Sequence, residues 1–114
     1  MKLSKILEME AGPDLNWLVH RVVFDKTMSM VISKDDIPDY SRGIAAAWLV
    51  VEKIMSMGYR YAMRGNFDGD GLHWAAFDHQ AWADANPLFQ SPMCHSLPLA
   101  ICYAALIAIL KEKG

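Results

Sequence analysis

Two arginines and a tryptophan in the middle of the chain have the types and spacing that suit the binding of a small ligand. Arg60 and Arg64 lie on one face of a predicted strand, and Trp74 follows a turn and comes within reach across a hairpin. Guanidinium groups make paired hydrogen bonds to phosphate, and an indole ring stacks on a nucleobase. The pattern therefore predicts a site for a phosphate-bearing aromatic ligand. The alternative is a structural face on which arginine stems cover apolar surface while their charged ends reach water.

A second candidate site lies at the start of a predicted helix, in Tyr40, Ser41 and Arg42. A helix N-terminus offers unpaired N–H groups and a partial positive charge, which suit an anion. Ser41 and Arg42 are predicted to donate to a phosphate, and Tyr40 to stack on a base or a ribose. The alternative is an ordinary helix start, in which Ser41 caps its own helix, Tyr40 packs beside it and Arg42 is solvated.

Two histidines complete the predicted ligand contacts: His79, at the end of the second predicted strand, and His95, before the last helix. Together with His73 and Cys94 they have the chemistry of zinc ligands, but their spacing matches no zinc-binding pattern, so no metal is predicted. The chain also lacks a nucleophile elbow, a phosphate-binding glycine loop and a carboxylate pair that the spacing would bring together. We therefore expect neither enzyme activity nor a cofactor.

The elements that must position these residues are four helices and a β-hairpin. Apolar residues recur at helical spacing, and Ser41, Ser96 and Gly58 suit helix ends. Alternating segments on both sides of a turn rich in glycine and aspartate indicate the hairpin, and residues 80–96 have room for a short third strand. The predicted class is α+β in a single domain, 1–114, with helices at about 4–11, 13–24, 41–57 and 97–112 and the hairpin at 59–79.

Composition and charge limit the partners that the chain is expected to have. Its 114 residues are 54% apolar or aromatic, enough for one core, and the formal charge is −2. Without a cluster of lysine and arginine, neither duplex nucleic acid nor a membrane surface is an expected partner. The helix at 97–112 is apolar nearly all round, so we predict that it is both the central core helix and the contact of a homo-oligomer. The N-terminal residues lack the apolar segment of a signal peptide, which predicts a cytoplasmic location.

Three stretches of the chain resemble the phage ABA sandwich domain family, in the order in which that family has them. Ile6–Val19 is similar to its I-L-x-M-x-A-G-x-x-L-x-x-L-V block, Ile37–Lys53 to its I-P-x-Y-S-x-x-I-A-A-A-W-x-V-V-E-K block, and Leu97–Cys102 to the start of its x-P-x-A-I-C-R-A-A-L-L segment. The resemblance implies an α-β-α sandwich that phages and prophages encode, and it leaves the activity open. The chain departs from that family at Tyr103, where an arginine is usual, and at His20-Arg21, where a polar or acidic pair is usual.

Phage origin and the set of arginines and aromatic rings together predict a role against host defence. A small protein without catalytic groups can act by mass action, because it holds a signal below the level that a host effector requires. The expected ligand is a nucleotide-derived immune signal in the cytoplasm of an infected or lysogenic bacterium. An ADP-ribose-derived signal of the Thoeris type, with one diphosphate between rings, suits two arginines better than a cyclic oligonucleotide. The alternatives are a protein interaction module without a small ligand and a small enzyme that degrades such a signal.

Overall fold

A computed structural model describes residues 3–24, 37–65, 71–79 and 89–113, and only the backbone of His79, Glu112 and Lys113. The chain forms helices and a three-stranded antiparallel sheet, so the predicted α+β class is confirmed. The turn predicted between the two long strands lies at 66–70, outside the described residues. The elements in order are α1 (Leu3–Ile6), α2 (Pro13–Val23), α3 (Ile44–Ser56), β1 (Tyr59–Gly65), β2 (His73–His79), β3 (Phe89–Gln90) and α4 (Leu97–Lys113).

The sheet has the order β1-β2-β3, and its register decides which side chains meet the helices. Tyr59 pairs with His79 and Gly65 with His73, so residues directly opposite one another share a face. Ala75 and Phe77 are fully buried in the core, and Phe89 of β3 stands opposite Phe77. The alternate residues therefore lie on the face that points away from the core.

Helix α4 is the centre of the fold. It packs against the sheet, chiefly β2, and also against α3 and α2. All of residues 100–109 are buried within the single chain, so the predicted core role of this helix is confirmed. The same burial leaves residues 100–109 without exposed apolar surface that a second copy could contact, and the homo-oligomer itself stays a prediction.

Two of the predicted helix ends are confirmed by hydrogen bonds. Ser96 Oγ accepts from the backbone N–H of Leu99 at 3.4 Å, which caps the start of α4. Gly58, with φ 98°, follows the end of α3 and donates its N–H to the Met55 carbonyl. A positive φ of this size strongly favours glycine, which explains why the helix stops there.

Two other predicted boundaries are wrong. The first helix ends at Ile6 rather than near residue 11, because the chain turns and the carbonyl of Met9 accepts a hydrogen bond from the Tyr103 hydroxyl of α4. The third begins at Ile44 rather than 41, with Gly43 as its extended N-cap. Ser41 does not cap it, because its hydroxyl is engaged with α2 instead.

Gly65 is required where the hairpin brings its backbone against the ring of His73. A Cβ atom at this position would collide with Nδ1 of His73 and would lie 2.6 Å from Cε1 and 2.9 Å from Cγ. We expect Gly65→Ala to lower the free energy of unfolding by about 1–3 kcal/mol in urea denaturation, because the whole imidazole must move. The double variant Gly65→Ala/His73→Ala should recover most of this loss, and equal stabilities of Gly65→Ala and the wild type would contradict the explanation.

Candidate functional site

The outer face of the hairpin carries the arginines that the sequence singled out. Arg60 stands directly across from Asp78, and the pair is bidentate, with Nε 3.1 Å from Oδ1 and Nη2 2.7 Å from Oδ2. The Arg60 side chain is 44% exposed and that of Asp78 17%. Asp78 therefore holds the Arg60 guanidinium in a fixed orientation at the surface.

Arg64 and Trp74 form the next cross-strand pair on this face. The register places Trp74 directly across from Arg64, as the predicted hairpin required. Arg64 is exposed and Trp74 is half-buried. Between the two pairs lies Ala62 opposite Ala76, whose small side chains leave a shallow floor. Residues 60 and 64 are four positions apart, which places their backbones about 13 Å from each other along the strand.

A recess of about 230 Å³ opens at the Arg60 end of this face. Its charged groups are the Arg60 guanidinium and the Asp78 carboxylate, and its floor is formed by the two alanines. Tyr61 also lines the recess, but it stands opposite Phe77 on the other face of the sheet, and its ring contacts Trp48. The arrangement offers a positioned guanidinium, an exposed second cation and an indole ring on one face, which suits an extended anionic ligand with a planar ring.

Ser41, predicted as a phosphate donor, is fully buried and occupied by structural hydrogen bonds. Its hydroxyl donates to Oδ1 of Asn16 at 2.6 Å and accepts from the Gly12 N–H at 2.9 Å. Its backbone N–H donates to the same Asn16 oxygen at 2.8 Å. These bonds attach the segment before α3 to the start of α2, so Ser41 has a structural role in this fold.

Tyr40 and Arg42 also have partners within the chain. Tyr40 is only 3% exposed, its ring stacks on Phe24 with centroids 5.3 Å apart, and its hydroxyl lies 3.0 Å from Nδ1 of His20. Burial raises the pKa of Tyr40 to about 12. Arg42 is exposed and bonds to the Asp39 carboxylate, Nε to Oδ2 3.0 Å. The structure therefore supports the alternative of an ordinary packed segment, on the α2 side of the molecule and apart from the outer face of the hairpin.

Asn16 is the residue of this segment that sequence reasoning missed. It is buried on α2, and its Nδ2 donates to Oδ1 of Asp39 at 2.8 Å. That bond is the main reason why the pKa of Asp39 lies below its ordinary value of 3.8. Partial burial raises this pKa, and the nearby Arg42 lowers it further. The sequence feature that indicates this role is the position of Asn16, a single amide next to Leu15 on the otherwise apolar buried face of α2.

His95 lies at a different place, beside a cavity of about 420 Å³. His95 itself is exposed. Burial raises the pKa of the Cys94 thiol, and its Sγ donates to the Pro92 carbonyl, so it is not an activated nucleophile. His79 lies on β2, where only its backbone is described. The cavity is lined mainly by apolar side chains, among them Leu7, Pro92, Met93 and Leu99, together with Cys94, His95, Ser96 and Tyr103.

The predicted ligand residues thus fall into three groups. The outer face of the hairpin unites Arg60, Arg64 and Trp74, whereas Tyr40, Ser41 and Arg42 lie against α2 and His95 borders the apolar cavity. Among the described residues, no three His, Cys, Asp or Glu side chains gather in a way that could hold a metal ion. Within the same ranges, no helix has the length and apolarity that crossing a bilayer requires.

These features define a small α+β domain with a three-stranded antiparallel sheet packed on a central apolar helix. The family model described as the phage ABA sandwich domain matches residues 5–106. The match covers most of the chain, and the protein therefore belongs to the phage ABA sandwich domain family, as the resemblance in its sequence indicated. Searches among curated proteins and among solved structures found no match.

Proposed function

We propose that this phage protein binds a nucleotide-derived signal of the host on the outer face of its hairpin and sequesters it without altering it. The observation that carries the proposal is the alignment of Arg60, Arg64 and Trp74 on one accessible sheet face beside a recess. Membership of a phage family supports the setting, and the chemistry of these side chains supports the ligand class.

The spacing of the face favours an extended ligand over a compact one. About 13 Å of strand separates the two arginines, and the indole lies beside the second of them. An ADP-ribose derivative can place its diphosphate toward Arg60 and a ring on Trp74, with Arg64 beside the linking groups. A cyclic oligonucleotide presents several phosphates in a compact ring, which matches this linear arrangement less well.

Release of the bound molecule distinguishes the proposed function from its alternatives. The purified protein is incubated with ADP-ribose derivatives or with cyclic oligonucleotides, freed of unbound ligand and denatured, and the released molecule is identified by mass spectrometry. Recovery of intact ligand supports sequestration, and recovery of a cleaved product supports an enzyme. The absence of retained ligand across both classes would overturn the proposal in favour of an interaction module.

Replacement of Arg64 by alanine tests the assignment of the site. We expect Arg64→Ala to weaken binding of a retained ADP-ribose derivative about 10- to 100-fold in calorimetry, because a charged hydrogen-bond donor to the linking groups of the ligand is lost. Arg42→Ala is the matched control, since it removes an exposed arginine on the α2 side of the molecule and should leave the affinity unchanged. Unchanged affinity in both Arg60→Ala and Arg64→Ala would exclude the hairpin face, and a loss in Arg42→Ala alone would place the ligand at the start of α3.

A further inference from the structure

A cluster of exposed apolar side chains lies where α3 meets β1. Ile44, Trp48 and Met55 are 53%, 39% and 44% exposed and follow one another at helical positions within an arc of about 40°. Tyr61 of β1 is 44% exposed, and its ring meets the Trp48 indole edge-on with centroids 5.5 Å apart. These four residues are named the Trp48 surface below.

Exposed large hydrophobic residues are concentrated around this surface. Within the described ranges, Leu49 belongs to the same helix and Met57 follows its end, whereas Met93 is the one such residue that lies elsewhere. Single exposed apolar residues are ordinary, but a contiguous group of several hundred Å² marks an interaction site. Tryptophan and tyrosine at its centre are the residue types that contribute most to binding energy in protein interfaces.

The Trp48 surface provides about half of the area that each partner contributes to a typical dimer contact. Its four side chains expose roughly 270–450 Å² in total, given that a large side chain has an area of about 150–250 Å². A stable interface takes about 800 Å² from each partner. The Trp48 surface would supply about half of this area, and the flanking Leu49, Met57 and polar margin would supply the remainder.

We propose that the Trp48 surface is the interface between two copies of this chain. A two-fold interface places the same surface on both partners, so a charged centre would oppose itself. The four side chains of the Trp48 surface are uncharged. The exposed Glu52 lies between Trp48 and Met55 on α3, and the adjacent Lys53 has the opposite sign. This pattern has no excess of one charge that would favour an oppositely charged partner. A second copy of the chain offers an apolar surface of equal area. The inference is independent of the proposed ligand.

Mass measurement across a range of concentrations tests the interface. Sedimentation equilibrium or light scattering at roughly 1 to 100 µM should show a species of twice 12.8 kDa in the wild-type protein. Trp48→Glu and Ile44→Glu should each raise the dimer dissociation constant at least about 30-fold, because each places a charge within the apolar contact. Met93→Glu, which changes an equally exposed apolar residue away from the surface, should leave the mass unchanged.

Circular dichroism and thermal unfolding of each variant establish that the chain remains folded. A wild-type protein that is monomeric at about 100 µM would overturn the proposal and leave the surface to a partner of different sequence. Folded Trp48→Glu and Ile44→Glu variants that remain dimeric would also overturn it, because the contact would then lie on another face. Loss of the dimer with retention of ligand binding would separate this inference from the proposed function.

Discussion

Replacement of Asn16 by alanine is expected to lower the free energy of unfolding by about 3 kcal/mol, a large part of the stability of a domain of this size. Asn16 Oδ1 accepts from both the hydroxyl and the backbone N–H of Ser41, which is fully buried. The alanine variant leaves the buried backbone N–H of Ser41 without its acceptor and leaves the Ser41 hydroxyl with only the long contact of 3.5 Å to the Gly12 carbonyl. A buried donor without an acceptor costs about 1–3 kcal/mol. Urea denaturation measures the change, which should appear as a lower midpoint with an unchanged slope.

Asp39→Asn is the matched control for this network. It keeps an oxygen that can accept from Asn16 Nδ2 and removes only the partly exposed charge, so the stability should change by less than about 1 kcal/mol. A loss in Asp39→Asn as large as that in Asn16→Ala would show that the ion pair of Asp39 and Arg42, rather than the buried amide, stabilises this segment.

The same network gives an acid dependence whose sign follows from Asp39. Because the pKa of Asp39 is lowered in the folded state, its stabilising contribution is fully present above about pH 3.8 and is lost as the pH falls through the folded value. In Asn16→Ala the main cause of the lowering is absent, so the pKa of Asp39 should rise toward 3.8 in a carboxyl NMR titration. An unchanged titration would contradict the hydrogen bond between the Asn16 amide and this carboxylate.

Phe77→Ala is expected to reduce the free energy of unfolding by about 3–5 kcal/mol. Phe77 is fully buried on the middle strand of the sheet, between Tyr61 of β1 and Phe89 of β3. Loss of the ring leaves a cavity between the sheet and the helices, which such a small core cannot close completely. The change should appear as a lower midpoint in urea and a lower melting temperature.

Phe77→Leu provides the control, because it keeps most of the apolar volume and should cost only about 1 kcal/mol. A small loss in Phe77→Ala, similar to that in Phe77→Leu, would mean that the contact between the sheet and the helices contributes little to stability.

Tyr61 lines the recess and belongs to the Trp48 surface, although its ring lies on the opposite face of β1 from Arg60. The variants still separate the two roles, since Arg64 lies outside the Trp48 surface and Ile44 lies outside the recess. Substitutions at Tyr61 itself would affect both readouts and are less informative.

Local patterns in the sequence were sufficient for most of the elements. Helical spacing of apolar residues gave the extent of α2 and α4 closely, and the alternation on both sides of a turn gave the hairpin with its third strand. The capping role of Ser96 and the stop at Gly58 also follow from residue preferences that act within a few positions. The resemblance to the family was carried by segments of this kind.

Local patterns were misleading wherever a distant residue changed the outcome. Ser41 fits the preference for a helix cap, yet its hydroxyl bonds to Asn16, 25 positions earlier in the chain. The first helix ends early beside a hydrogen bond between Met9 and Tyr103, 94 positions apart. No spacing rule anticipates either bond, because each depends on which helices become neighbours after folding.

The sequence by itself thus determined the class of the fold, its helices and strands, and the placement of Arg60, Arg64 and Trp74 on one face. These properties depend on periodicity and on turn residues, which act over short distances along the chain. Only the tertiary structure decided that this face points outward, that residues 100–109 of α4 are buried within one chain, and that the exposed apolar surface lies on α3 and β1. These properties depend on which faces of the elements are buried against each other, and burial is settled by the packing of the whole domain.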